Sequence, residues 1–322
     1  MCFGFDADAA VSETFERQGH APRAPIGRRT LLGAVAGTTA LGTMAATGLS
    51  GAAVAAPASS RPGRRRVPQG RTSIQLYTLR ADLATDYRRS LRYVAAAGYR
   101  RVEQAGYYGL TARQLRRFHD GLGIRTSSSH DGLSATRDAL EVKLENAGVL
   151  GQRYLNVPYL KSDSPDQWRA WAWQMNSEAY AAKKAGLRYG YHNHAHEFLE
   201  LANGERPWDI LATELDPDLV HLEADLYWVV TGGIQSGDGA TDPVRFAIDT
   251  LRASRLKVRQ FHVKDRDPAT GDMADLGTGM IDFRRIFSAV EVEEYVVEND
   301  TPDVTPQQTA EVGYDYLRRL RY

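Results

Sequence analysis

A (β/α)8 barrel is the architecture this chain predicts, on three observations. Strand-like and helix-like runs alternate along residues 71–322 with short loops between them, the pattern of an all-parallel sheet covered by helices. Four apolar runs in the second half, 187–194 (LRYGYHNH), 219–225 (LVHLEAD), 258–265 (VRQFHVKD) and 294–300 (EYVVEND), each end in a residue that binds metal well. With His192, Asp225, His262 and Glu298 as markers, the gaps are 33, 37 and 36 residues. A barrel of about 250 residues spends about 31 on each strand–helix unit, so each gap fits one unit. An open doubly wound sheet is the competitor. It usually carries a glycine-rich phosphate loop after its first strand, and Leu76-Tyr77-Thr78-Leu79-Arg80 is nothing like one.

The elements follow in order. Residues 73–79 read as the first strand and 86–97 as a helix that Gly98 stops. Residues 99–104 form the second strand, and 111–122 a helix ended by Gly123. The third unit pairs 124–129 with a helix over 135–147, and 154–157 is the fourth strand. Ser164-Pro165-Asp166 caps the next helix, which Gly186 closes. The four marked strands then alternate with helices at 207–214, 243–251, 282–289 and 305–321.

The start of the chain belongs to no domain. Gly27-Arg28-Arg29-Thr30-Leu31-Leu32 precedes an uncharged stretch rich in Ala, Gly, Thr and Leu, and Ala53-Val54-Ala55 supplies a small-x-small cleavage site. Residues 1–55 therefore read as a twin-arginine export signal, with a periplasmic, cell-wall or extracellular destination. A retained anchor is the alternative, but the Ala/Gly/Thr content makes the stretch weakly hydrophobic. Residues 56–70 (APASSRPGRRRVPQG) read as a disordered linker, and 71–322 as one catalytic barrel.

The 40 basic and 40 acidic residues cancel, which argues against a nucleic-acid partner. The composition fixes no other partner, and a homo-oligomer is compatible with it. Cys2, the only cysteine, lies in the leader, so the mature chain has neither disulfide nor catalytic thiol.

Period-two alternation decides which side chains share a face. His192 pairs with His194, Asp225 with Glu223 and His221, His262 with Lys264, and Glu298 with Val296 and, where the strand continues, Asp300. Charged side chains do not fill a barrel interior without partners, so these faces point into a polar mouth. His192, Asp225, His262 and Glu298 are the candidate ligands of one divalent ion, since imidazole and carboxylate together suit such a cation. Glu298 or His192 is the candidate base, Lys264 an acid or carbonyl-polarising group, and Glu197 a contact just above the metal. Tyr77, Glu103, His130, His194 and Trp228 fall where barrel strands deliver substrate contacts, Trp228 as an aromatic wall.

The segments QLYTLR, GYRRVEQAG, YHNHAHEF, EADLYWVVTGG, FHVKD, LGTGMIDF and VVEND together resemble the xylose-isomerase-like TIM-barrel family of sugar-phosphate isomerases and epimerases, from about Arg71 to Tyr322. The resemblance implies one divalent ion (Mn2+, Mg2+, Co2+ or Zn2+) held by Glu, Asp, His and Glu from strands five to eight. Asp225, His262 and Glu298 match the last three. His192 stands where the ketose epimerases of the family carry a glutamate. The YHNH…EF variant resembles members that act as isomerases, dehydratases or lyases on sugars, including 3-keto sugars. The expected activity is therefore isomerisation or epimerisation through an enediolate. The alternatives are β-elimination from a keto-sugar and a non-catalytic sugar-binding barrel. No phosphate loop is visible, so a free sugar, polyol or glycoside is the expected substrate rather than a sugar phosphate.

Overall fold

Eight parallel strands close on themselves in the computed structural model, which describes residues 65–322. The first half runs β1 (Thr72–Gln75), α1 (Arg80–Ala97), β2 (Arg101–Gln104), α2 (Ala112–Gly121), β3 (Arg125–His130), α3 (Arg137–Leu150), β4 (Tyr154–Val157) and α4 (Pro165–Lys184). The second half runs β5 (Arg188–His192), α5 (Pro207–Glu214), β6 (Val220–Asp225), α6 (Leu226–Ser236), α7 (Pro243–Ala253), β7 (Val258–Val263), β8 (Asp265–Arg266), β9 (Met273–Ala274), α8 (Phe283–Ala289), β10 (Glu294–Val297) and α9 (Pro306–Arg319). β8 and β9 form a small antiparallel hairpin above the barrel, and β10 closes the cylinder on β1 with Thr72 opposite Tyr295 and Ile74 opposite Val297.

Alternation along the strands builds two different layers. Outward-facing Phe261 and Tyr295 pack on Phe287 of α8, with ring centroids 5.6 and 4.8 Å apart. Inward, the barrel is filled by polar side chains rather than by branched aliphatics. Asn156 Nδ2 donates to Glu223 (2.7 Å), Gln260 (3.0 Å) and Glu103 (3.2 Å), while Gln260 Nε2 donates to Ser128 (3.2 Å). Gly190 of β5 leaves room for this lattice: a Cβ there would lie 2.3 Å from Asn156 Oδ1 and 2.5 Å from His221 Nε2.

Several boundaries differ from the expectation, each for a local reason. The first strand stops at Gln75, whose side chain accepts from the Tyr77 amide and turns Leu76–Leu79 into a 3-10 helix. Helix α1 already begins at Arg80, and the expected start at Asp86 is a kink (φ −151°, ψ 89°) where Asp86 accepts from the Arg89 amide. Helix α6 was not expected. Its sequence, LYWVVTGGIQS, buries residues around its whole circumference and so shows no amphipathic period. The linker also ends earlier than Gly70. Arg65 and Tyr322 exchange main-chain hydrogen bonds of 2.9 and 3.0 Å, and Val67 is buried, which ties residues 65–70 to the barrel. The expected leader and residues 56–64 lie outside the described residues. Among the described residues, no helix is long and apolar enough to cross a membrane.

Candidate metal centre

The C-terminal ends of β5, β6, β7 and β10 converge, and with them the four marked residues. One donor atom each from His192, Asp225, His262 and Glu298 lies within 4.8 Å of the others, and all four residues are buried. Ligands at 2.0–2.3 Å from a divalent ion stand up to about 4–4.6 Å apart across it, so little contraction would close a sphere. A second set, His130, His192, Glu223 and His262, shares two of these residues and lies beside the first.

Hydrogen bonding separates the two sets. In the second, His130 Nε2 is 2.8 Å from Glu223 Oε2, and Glu223 Oε1 accepts from Asn156, so its charges are already compensated. In the first, Asp225 Oδ1 accepts from the Trp228 amide at 2.9 Å as the N-cap of α6, but Oδ2 is buried without a hydrogen-bond partner. His192 is shared by both sets, with Nε2 3.7 Å from Asp225 Oδ2 and Nδ1 3.5 Å from Glu223 Oε2, and Nδ1 is buried without a hydrogen-bond partner. Two imidazoles and two carboxylates, one oxygen of which meets only the Lys264 ammonium and no directed hydrogen bond, fit a divalent ion at the first set.

The electrostatics follow from burial and proximity. His262 Nδ1 lies 2.6 Å from Glu298 Oε2 and Nε2 lies 2.7 Å from Glu103 Oε1. Burial would lower its pKa, but the carboxylates of Glu223, Glu298 and Glu103 outweigh that and raise it well above the usual imidazole range. Burial would raise the Glu298 carboxyl, yet Lys264 and His262 hold it well below its ordinary value. Burial pushes Asp225 up to about 6, with Lys264 opposing. His192 is held well below its ordinary value by burial, and then by the neighbouring His262 and His130, so it is neutral. Lys264 Nζ lies 2.7 Å from Glu298, 3.0 Å from Asp225 and 3.2 Å from Asp300.

The other expected contacts divide into those at the mouth and those taken up by other protein groups. The Trp228 ring lies 5.1 Å from that of His194 and 5.7 Å from Lys264 Nζ, and its indole nitrogen is buried without a hydrogen-bond partner. His130 stacks on His262 at 5.1 Å. Tyr77 lies in the turn above β1 with the Arg80 guanidinium 4.3 Å from its ring, and Arg80 donates to the Asp300 carbonyl. Glu103 is fully buried, as are Asp225 and His262; it accepts from Gln75 (2.7 Å) and Asn156 (3.2 Å) and lies 2.7 Å from His262 Nε2 and 3.1 Å from His130 Nε2, so its oxygens are taken up by protein groups around the imidazoles. Glu197 is a correction. It is fully buried, accepts from Tyr191 Oη (2.6 Å) and the His194 amide (2.8 Å), and buttresses the loop after β5 from outside the mouth. Glu223, which shares a face of β6 with Asp225, and Asp300, just past the end of β10, were not among the expected site residues. A surface cavity of about 1180 Å3 lies against α8 and α9 (Arg285, Val312, Tyr316, Arg319), not over the candidate ligand set. Chemistry rather than volume locates the site.

Solved structures share this architecture. Two sugar phosphate isomerase/epimerase structures from Parabacteroides distasonis match at 26% and 25% identity, each with a TM-score of 0.62. They cover 83% and 78% of this chain and 98% and 99% of their own. A probable 3-DHS dehydratase from Bacillus anthracis matches in fold at 11% identity and a TM-score of 0.51, over 77% of this chain and 98% of its own. No curated protein sequence matches. The family model for the xylose isomerase-like TIM barrel matches residues 91–320, and the chain belongs to that family.

Proposed function

We propose that this protein is a divalent-metal-dependent isomerase or epimerase that acts through an enediolate on a free, non-phosphorylated sugar or related polyol. One observation carries the reading: His192, Asp225, His262 and Glu298 bring donor atoms within 4.8 Å of one another at the barrel mouth. When bound, Mn2+, Mg2+, Co2+ or Zn2+ supplies Lewis-acid polarisation of a carbonyl and its neighbouring hydroxyl. A neutral imidazole has a single lone pair, so His192 can take a proton from the carbon beside that carbonyl only in the arrangement where Asp225, His262 and Glu298 alone hold the ion. Glu298, kept ionised by Lys264 and His262, is the second base. The Lys264 ammonium offers positive charge and a proton to the developing oxyanion. Trp228 and His194 offer a sugar ring an aromatic wall. Export through the Arg28-Arg29 leader supports a free sugar, because sugar phosphates are rarely met outside the cytoplasm.

A second reading rests on a specific departure. Two-base epimerisation on opposed carboxylates needs one on β5, and this chain has His192 there. If a leaving group lies β to the carbonyl, the same enediolate expels it, and the enzyme is a lyase or dehydratase of a keto-sugar or 3-keto-glycoside.

Proton NMR in D2O distinguishes these readings. The mature protein is incubated with Mn2+, and then with EDTA, against free and 3-keto sugars. Isomerase chemistry puts solvent deuterium on the carbon next to the carbonyl, elimination removes the β-substituent, and EDTA stops either. Glu298→Gln should lower turnover at least about 100-fold while largely sparing carbohydrate binding. Unchanged turnover would defeat the assignment, and carbohydrate binding with no turnover in any arm would leave a sugar-binding barrel.

A further inference from the structure

We infer that the Lys264 ammonium is a resident cation that competes with the divalent ion for Asp225 and Glu298, and that Asp300 is the counter-charge that lets both cations share the site. The inference rests on the metal-dependent reading above and deepens it.

Lys264 follows the ligand His262 by two residues on the same inward face, and its side chain is 2% exposed. Its ammonium lies 3.0 Å from Asp225 Oδ2 and 2.7 Å from Glu298 Oε2, the carboxylates of two of the four candidate ligands. Asp225 Oδ2 nonetheless has no hydrogen-bond partner, whereas the contact to Asp300 Oδ2 at 3.2 Å is a hydrogen bond. The ammonium is therefore held at Asp225 by charge, and by a directed bond at Asp300. Charge at these distances in a buried site is strong, and two cations on the same oxygens oppose one another. Asp225, Glu298 and Asp300 carry three negative charges when ionised. With His262 neutral, as a ligand must be, one ammonium leaves them under-compensated, and one ammonium plus one dication balances them. Asp300, whose side chain is 17% exposed, stands on the outer side of this group. It would keep Lys264 paired when a dication takes the other two carboxylates.

The test is Mn2+ affinity, measured by titration calorimetry at one pH on metal-stripped protein. The variants are Lys264→Met, Asp300→Asn and the double substitution. Lys264→Met should bind Mn2+ about tenfold or more tightly than wild type, because the rival charge is gone. Asp300→Asn should bind it more weakly, and that loss should largely vanish in the Lys264→Met background. The rise in Tm on adding Mn2+ should also be larger for Lys264→Met than for wild type. Equal or weaker binding by folded Lys264→Met, or an Asp300→Asn effect of the same size in both backgrounds, overturns the inference and leaves the metal site standing. If Lys264→Met does not fold, Asp300→Asn alone decides, and equal or tighter binding overturns it. Absence of Mn2+ binding in every variant, wild type included, removes the metal-dependent reading itself.

Discussion

His262 Nε2 lies 2.7 Å from Glu103 Oε1, so a carboxylate of β2 orients an imidazole of β7 through the barrel interior. Ligation at Nδ1, the nitrogen facing Glu298, would leave Nε2–H donating to Glu103, the arrangement by which a buried carboxylate fixes the ring and raises its basicity. Glu103 is itself held by Gln75 and Asn156, so it cannot turn away.

Glu103→Gln is accordingly expected to weaken Mn2+ binding by about 10–100-fold while leaving the barrel folded. Competition against a chelator measures it. Affinity equal to wild type would show that His262 needs no such support.

Glu197→Ala should act on stability. It leaves the Tyr191 hydroxyl and the His194 amide buried without their acceptor, at a cost of about 1–3 kcal/mol in denaturant unfolding. A variant as stable as wild type that has lost turnover would return Glu197 to the substrate.

Glu294 gives a pH signature far from the mouth. Burial pushes its carboxyl up to about 7, against an ordinary value of 4.5, and Ser127 Oγ donates to it at 2.6 Å. The folded state then holds a proton that the unfolded chain releases between these values, so stability falls as pH rises from about 4.5 to about 7. The fall amounts to at most about 3 kcal/mol at 1.36 kcal/mol per unit. Glu294→Gln should flatten it, as followed by Tm against pH. A slope unchanged in the variant would place the proton elsewhere.

Export is tested at the leader. Replacing Arg28 and Arg29 together by lysine should leave the precursor inside the cell, and N-terminal sequencing of the exported wild-type protein should begin at Ala56. Export unaffected by the pair would remove the twin-arginine reading.

The barrel and the convergence of His192, Asp225, His262 and Glu298 were legible because strand period and unit length are properties of the chain alone. Pairing was not. Glu103 and Glu197 look like strand-end carboxylates in sequence, but one is taken up by Gln75, Asn156 and His262 and the other by Tyr191 and the His194 amide, partners that no local pattern announces. Glu223 could have been found from its shared face with Asp225; what hid it was that its partners, His130 and Asn156, come from distant strands. Helix α6 was hidden by burial on all sides, which erases the period that marks a helix. The β8–β9 hairpin depends on Asp265, whose carboxylate gathers the amides of Arg266, Gly277, Gly279 and Ile281, a closure spanning a loop.

A cylinder stuffed with amides and carboxylates instead of oily side chains also constrains how this scaffold can diversify. Each donor of Asn156 or Gln260 has an assigned acceptor, so a change at one position strands a polar atom at another instead of being absorbed by neighbours sliding to fill space. New specificities should therefore arise at the rim, around Trp228, Tyr159 and His194, where His194 meets Tyr159 edge to face and Trp228 at a tilt and the rings tolerate rearrangement. The floor beneath them stays fixed.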